Sequence, residues 1–237
     1  MKYHILHFSV LDSTNTYLKD NQSNLDDFTF AITDYQTKGK GRQGRTWLAK
    51  ENDNLLFSLL LKNKGILSYG PILSLVAAVS ICEVLENSYS LNNVKIKWPN
   101  DIYVNNKKIC GILLEGELPH YIIIGMGINV NQKEFFGEYR VDPTSLSLEI
   151  NRNIDLEELK DKLCNRIYDN VSHIDIKRFI RYYKEHDYLD KKQVSFVYNN
   201  SHLQGVVEGV DEHFNILIYV EDKTLVISSG EISLIHC

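Results

Sequence analysis

Cysteine, proline, tryptophan and methionine are all scarce in this chain, and the scarcities remove whole classes of explanation. The 4 cysteines, Cys82, Cys110, Cys164 and Cys237, form no CxxC pair. Neither a disulfide framework nor a cysteine zinc site is indicated, and a reducing cytoplasm fits. The 8 histidines fall in no HxxxH or HExxH spacing, which leaves a transition-metal enzyme little support. With only 4 prolines and 13 glycines among 237 residues, and 43% hydrophobic against 24% charged residues, the composition is that of a folded chain rather than a disordered or fibrous one. Positive charge is also short: the net charge of −5 supplies no overall field for nucleic acid or an anionic membrane. Residues 1–12 lack the apolar core and cleavage site of a signal peptide, and the longest apolar stretch, 72–85, is interrupted by Glu83 and too short to span a bilayer. The expectation is a soluble, cytoplasmic protein that binds neither membrane nor specific DNA.

What is present reads as a mixed α/β pattern followed by β alone. Residues 4–10 and 28–35 read as strands, separated by a short helix that starts among Asp12, Ser13, Thr14 and Asn15 and runs to about Asp20. After a glycine- and cation-rich loop at 36–50, residues 54–61 form a strongly apolar strand. Pro71 suits the first turn of a buried helix over 72–85. Val94, Ile96 and Trp98 alternate with Lys95 and Lys97 until Pro99 interrupts, and the runs 102–104 and 109–114 flank Asn105, Asn106, Lys107 and Lys108 as a hairpin. Residues 121–124 continue the sheet into Gly125-Met126-Gly127-Ile128-Asn129, read as a strand end that admits something close. Helices are predicted over 155–171, with Leu156, Leu159, Leu163 and Ile167 on one stripe, and over 177–183. From residue 188 only short strands follow, at 194–198, 202–210, 215–220 and 224–227. The expected organisation is a main domain over 1–187 carrying a packed β appendage over 188–237.

The stretch Lys38-Gly39-Lys40-Gly41-Arg42-Gln43-Gly44-Arg45 places four cations in eight residues, with no acid between Tyr35 and Lys50. Glycines let a backbone approach a ligand closely, and Arg and Lys supply charge-assisted hydrogen bonds to carboxylate or phosphate. Charge alone would favour a solvated basic turn, but the repeated glycines favour an anion cradle. Residues 39–46 nearly match GxxxxGK[ST], yet a P-loop must pass into a helix and residues 48–54 carry no helical apolar stripe, so that reading fails. Residues 125–130 fail as a dinucleotide fingerprint because Val130 stands where the third glycine is required. Lys97 lies just before the Pro99 break, on the strand face opposite Ile96 and Trp98; a lone strand lysine is ordinarily solvated.

Taken together, these segments resemble one family. Ser13-Thr14-Asn15, Tyr35-Gln36 with the 39–45 loop and Trp47, Lys97-Trp98-Pro99-Asn100-Asp101 with Gly111-Ile112-Leu113-Leu114-Glu115, and residues 125–129 are similar in order and spacing to biotin protein ligases. Thr144-Ser145-Leu146 and Gly230-Glu231-Ile232-Ser233-Leu234 extend the resemblance over nearly the whole chain. It implies an α+β fold, in which a mixed β-sheet catalytic domain flanked by helices, related to class II synthetases, carries a small C-terminal SH3-like β-barrel. It also implies ATP-dependent formation of biotinyl-5'-AMP and transfer of biotin to a lysine of a biotin carboxyl carrier protein or carboxylase domain.

By the same resemblance, Ser13, Thr14, Asn15, Gln36, Lys40, Gly41, Arg42, Lys97, Gly111 and Ile112 would bind biotin, while Arg42, Arg45, Trp47, Asn100 and Asn129 would bind ATP. Lys97 and Arg42 would act at the reacting centre. Mg²⁺ would arrive with ATP, near Asn129, and no side chain is assigned as a direct metal ligand. Two departures stand out. Lys40 replaces a common Arg, exchanging a bidentate contact for a point charge, and the catalytic pattern begins at Tyr3, without the helix-turn-helix domain of many bacterial relatives. A homodimer is left open. The rival readings are a lipoate ligase of the same superfamily and, in a different class, a basic-loop nucleic-acid binder, against which the acidic whole counts.

Overall fold

The computed structural model describes residues 2–137, 139–230 and 232–235. Cys237 and Glu231 of the 230–234 segment lie outside the described residues.

The chain opens with β1 (His4–Leu11), α1 (Thr14–Asn21) and β2 (Thr29–Gln36), a helical crossover that sets β1 parallel to β2. β3 (Asn54–Leu61) returns antiparallel to β2, and α2 (Lys64–Leu67) leads into the long α3 (Ile72–Tyr89). A meander of β4 (Val94–Lys97), β5 (Asp101–Val104), β6 (Lys107–Glu117) and β7 (Tyr121–Asn129) then pairs back onto β3. The result is a 7-stranded mixed sheet in the order β1-β2-β3-β7-β6-β5-β4. After α4 (Leu146–Ile150), α5 (Leu156–Ser172) and α6 (Ile176–His186), the strands β8 (Gln193–Tyr198), β9 (Ser201–Val210), β10 (Ile216–Val220), β11 (Lys223–Ile227) and β12 (Ile232–Leu234) form a separate 5-stranded antiparallel sheet.

Where the structure departs from the sequence reading, local chemistry explains it. α3 runs past Leu85 to Tyr89 and stops at Ser90 in the left-handed region. Its acids do not break it, because Glu83 meets Arg178 and Asn170, and Glu86 accepts from His186 and Tyr182. By length and apolarity this helix could cross a membrane, but it lies buried between the sheet and α5 and α6. The β5–β6 hairpin turns on Asn105 and Asn106 alone, both at positive φ, and strand resumes at Lys107; asparagine tolerates the two left-handed positions such a turn needs. The 177–183 helix extends to 176–186. α2, α4 and β12 carry no periodic signal in the sequence; 4, 5 and 3 residues are too few to show a period, and the two helices are held by the side-chain caps of Asn63 and Ser145.

One apolar cluster runs through both sheets, joining Ile96, Leu163 and Phe179 to Phe196, Val207 and Ile218. Trp98 Nε1 donates to the Phe214 carbonyl at 2.9 Å, and Tyr103 stacks on Tyr188 with centroids 4.5 Å apart. The strand that carries Lys97 is therefore pinned against the β-only unit.

Candidate active site

Strand alternation divides β7 into two faces. Ile122, Ile124, Met126 and Ile128 enter the main core, while Ile123 packs with Leu18 of α1 on the other side, so Gly125, Gly127 and Asn129 share the α1 face. Residues 125–129 are the end of β7, as expected, and pair with β3 and β6 nearly throughout. Register then lines up one row across the sheet: Lys97 opposite Asp101, Asp101 opposite Gly111, Gly111 opposite Gly127, and Gly127 opposite Leu56.

The glycines on this face make two seats. A Cβ at Gly125 would lie 2.1 Å from Asn15 Oδ1, and Cβ atoms at Gly111 and Gly127 would lie 2.8 Å and 2.6 Å from the Trp47 ring. None of the three approaches is tolerable, so only glycine lets Asn15 and Trp47 rest on the sheet.

Over Gly125 the side chains are polar and buried. Asn15 Nδ2 donates to Glu115 Oε2 at 2.7 Å, Ser58 Oγ donates to Asn15 Oδ1 at 2.6 Å, and Thr14 Oγ1 lies 2.6 Å from Ser58 Oγ. Gln36 Oε1 accepts the Thr14 backbone N–H at 2.8 Å. Ser13, at the N-cap of α1, is buried beside them.

Over Gly127 the setting is aromatic and cationic. Trp47 Nε1 is buried without a hydrogen-bond partner, and Lys108 Nζ lies 5.5 Å from the ring centroid while holding Asp101 at 2.7 Å. Asn129 donates to the Thr144 carbonyl at 3.0 Å, and its Oδ1 is buried and unpartnered. Lys97 Nζ stands 5.9 Å from the centroid of the Tyr103 ring.

The cationic loop folds above both seats as a small flap. Gly41 N–H donates to the Arg45 carbonyl and Trp47 N–H to the Gly39 carbonyl, with a one-turn 3-10 segment at Arg42–Gly44 where Gln43 and Gly44 take positive φ. Lys38 is tied to Asp12 at 2.8 Å, which raises the lysine and lowers the carboxyl from their ordinary values. Arg42 reaches Asn100 Oδ1 at 3.2 Å and the Gly230 carbonyl at 2.9 Å, so one guanidinium links flap, sheet and β-only unit. Between the flap and Leu113 and Glu115 lies a cleft of about 660 Å³, enough for a substrate of drug size.

One sheet face thus carries a polar seat, an aromatic seat and a cationic flap, and known proteins resemble the chain that folds this way. Residues 7–129 match the model of the biotin/lipoate A/B protein ligase family. The chain is 30% identical over 238 residues to the bifunctional ligase/repressor BirA of Escherichia coli, covering 95% of this chain and 72% of that protein. The chain belongs to the biotin/lipoate A/B protein ligase family. The BirA of Bacillus subtilis is 36% identical over 162 residues, 65% of this chain, and the chain spans about half of that protein's length. Among solved structures, the biotin protein ligase from Aquifex aeolicus in complex with biotin and ATP aligns with a TM-score of 0.87 at 32% identity over 99% of each chain.

Against that family background, the structure brings Asn15, with Thr14 and Gln36 beside it, over Gly125 and lays Trp47 on Gly111 and Gly127, with Lys40, Gly41, Arg42 and Arg45 on the flap that lines the cleft. Ile112 stands apart from the other expected site residues. Its side chain is 2% exposed and faces the core opposite Met126, and its N–H and carbonyl are both bonded to Asn100. Alternation with Gly111 makes that unavoidable. Asn100 is in turn engaged by Ile112 and Arg42. Ser58, Lys108 and Glu115 stand among these side chains, and sequence reasoning assigns none of them. Ser58 does leave a signal, as the single polar side chain between Leu55 and Leu61.

Proposed function

We propose that this chain activates biotin with ATP to biotinyl-5'-AMP and transfers the biotinyl group to one lysine of a biotin carboxyl carrier domain. The observation that carries the reading is the order of features along one sheet face, from a buried amide and hydroxyl pocket over Gly125 to an indole over Gly127. Same-face neighbours on a strand stand about 7 Å apart, so a small ring held at the first seat leaves its acid tail beneath the cationic flap and towards Lys97. The names of the E. coli ligase/repressor and the Aquifex biotin ligase support the assignment. A cytoplasmic setting belongs to the same proposal.

In the first step a carboxylate oxygen attacks the α-phosphorus of ATP; the new C–O–P link forms as the bridging P–O bond breaks, and pyrophosphate leaves with that electron pair. Two anions must approach, and at about 4 Å each charge pair repels by roughly 4 kcal/mol at an effective dielectric near 20. Lys97 and Arg42 offset this, so the protein acts chiefly by positioning and charge stabilisation. In the second step the acceptor amine attacks the acyl carbon, loses a proton and displaces AMP. Mg²⁺ bound with ATP would neutralise phosphate charge. The residues present fit an ion held mainly by phosphate oxygens: no cluster of three His, Cys, Asp or Glu occurs among the described residues, and the buried, unpartnered Asn129 Oδ1 offers one hard oxygen.

The same family includes lipoate ligases. The seat over Gly125 favours biotin, because a dithiolane ring would leave the buried Thr14 hydroxyl and the half-buried Gln36 amide without use. Incubation with ATP, magnesium, biotin and a carrier domain should add one biotinyl mass to a single carrier lysine. A carrier that gains lipoyl but never biotinyl mass would overturn the proposal.

A further inference from the structure

The side chains over Gly125 form one hydrogen-bonded line, and the line has a direction. Glu115 Oε2 lies 2.7 Å from Asn15 Nδ2; a carboxylate only accepts, so the NH₂ end of Asn15 must face it and the carbonyl end must face away. Asn15 Oδ1 also only accepts, which obliges Ser58 Oγ, 2.6 Å away, to donate. Ser58 has then used its one proton, and the 2.6 Å contact to Thr14 Oγ1 takes the proton of Thr14. Gln36 Oε1, 3.1 Å from that hydroxyl, is satisfied by the Thr14 backbone N–H at 2.8 Å. Thr14 Oγ1 is left with lone pairs. Gln36 is left with its amide protons, and its Nε2 points at Gly39, 3.3 Å from where a Cβ would stand on that flap residue.

We propose that Glu115, Asn15 and Ser58 are positioning residues that set the hydrogen-bond polarity of this pocket, presenting Thr14 Oγ1 as an acceptor and Gln36 Nε2 as a donor. That pair complements the N–H and C=O of a cyclic urea and offers nothing to a dithiolane. The inference deepens the biotin reading and rests on it. Burial gives the line its force: Asn15 is 4%, Thr14 3% and Ser58 0% exposed, so a reversed bond has no water to repair it. Gly125 is part of the device, since any Cβ there would displace the Asn15 amide.

Removing the charge at the head of the line frees its direction. In Glu115→Gln the new amide can donate to Asn15 Oδ1, Asn15 Nδ2 then donates to Ser58, Ser58 to Thr14, and Thr14 presents a proton where the ligand N–H arrives. Exchanging the two groups in Asn15→Asp with Glu115→Gln restores the original order, because the carboxylate now at position 15 again accepts from Ser58 and also accepts from the amide now at position 115. Biotin and lipoate affinities are measured by calorimetry for the wild type and each variant. Glu115→Gln should weaken biotin at least about tenfold and leave lipoate unchanged, and the double variant should return biotin to within about threefold of wild type. Ser58→Ala interrupts the line further in; it should weaken biotin similarly, and adding Glu115→Gln to it should make nothing worse. Wild-type biotin affinity in Glu115→Gln, a double variant no better than that single one, or equal weakening of lipoate overturns the proposal. A wild-type chain that binds no biotin overturns the functional reading itself, before any variant is compared.

Discussion

Gly127 and Trp47 are built for one another: a Cβ on Gly127 would stand 2.6 Å from Cε2 of the indole, and the backbone alone lets the ring lie on the sheet. Gly111, its cross-strand partner in the register, repeats the constraint at 2.8 Å. If the indole is the surface on which adenine rests, Gly127→Ala should lift it and raise the KM for ATP about tenfold or more, while biotin affinity, read by calorimetry, stays close to wild type. Loss of biotin binding with unchanged KM for ATP would place the two substrates the other way round.

Lys97 and Arg42 should fail differently, because one sits on a sheet strand and the other on the flap. If Lys97 acts where carboxylate meets α-phosphate, Lys97→Ala should lower single-turnover adenylate formation by about 10²- to 10³-fold. Arg42→Gly loses the contacts to Asn100 and the Gly230 carbonyl. A flap no longer held shut should let the mixed anhydride escape and acylate bystander amines. A bystander protein in the assay should then become biotinylated. Wild-type adenylate formation in Lys97→Ala, or a clean bystander with Arg42→Gly that still makes adenylate, contradicts these roles.

The junction to the β-only unit carries a pH dependence. Burial pushes the Asp187 carboxyl up to about 6, aided by Asp190, against hydrogen bonds from Leu189 N–H and Tyr183 O–H and the charge of Lys192. A carboxyl whose folded value lies above its unfolded one, near 4, favours folding when protonated; that contribution is complete below pH 4 and is lost as pH rises through 6. A difference of about two pH units corresponds to at most about 3 kcal/mol. Asp187→Asn keeps the acceptor oxygen without the charge. Its denaturation midpoint should match wild type near pH 4 and exceed it at pH 7 to 8; a variant less stable at every pH would show that the carboxylate is instead stabilised where it stands.

The parts of the fold legible in the sequence are those that repeat. The apolar run at 54–61, the alternation at 94–98 and the Leu156, Leu159, Leu163 and Ile167 stripe appear as the expected strands and helix. Parts held by contacts far along the chain stay hidden. Gly125 and Gly127 read as a strand end that admits something close, but nothing local says that Asn15 and Trp47 are what lies on them. Glu115 reads as the last residue of a strand motif because its partner is 100 residues away. Ile112 falls beside Gly111 in the motif, although a strand must send the two to opposite faces.

The proposed function requires that the cleft couple biotin, and not another acid, to ATP. Exchange of labelled pyrophosphate into ATP, with biotin and lipoate offered separately to the same preparation, decides it because only the adenylation step is read. Exchange should depend on biotin and be absent with lipoate; exchange with lipoate alone would show that the pocket over Gly125 has been assigned to the wrong acid.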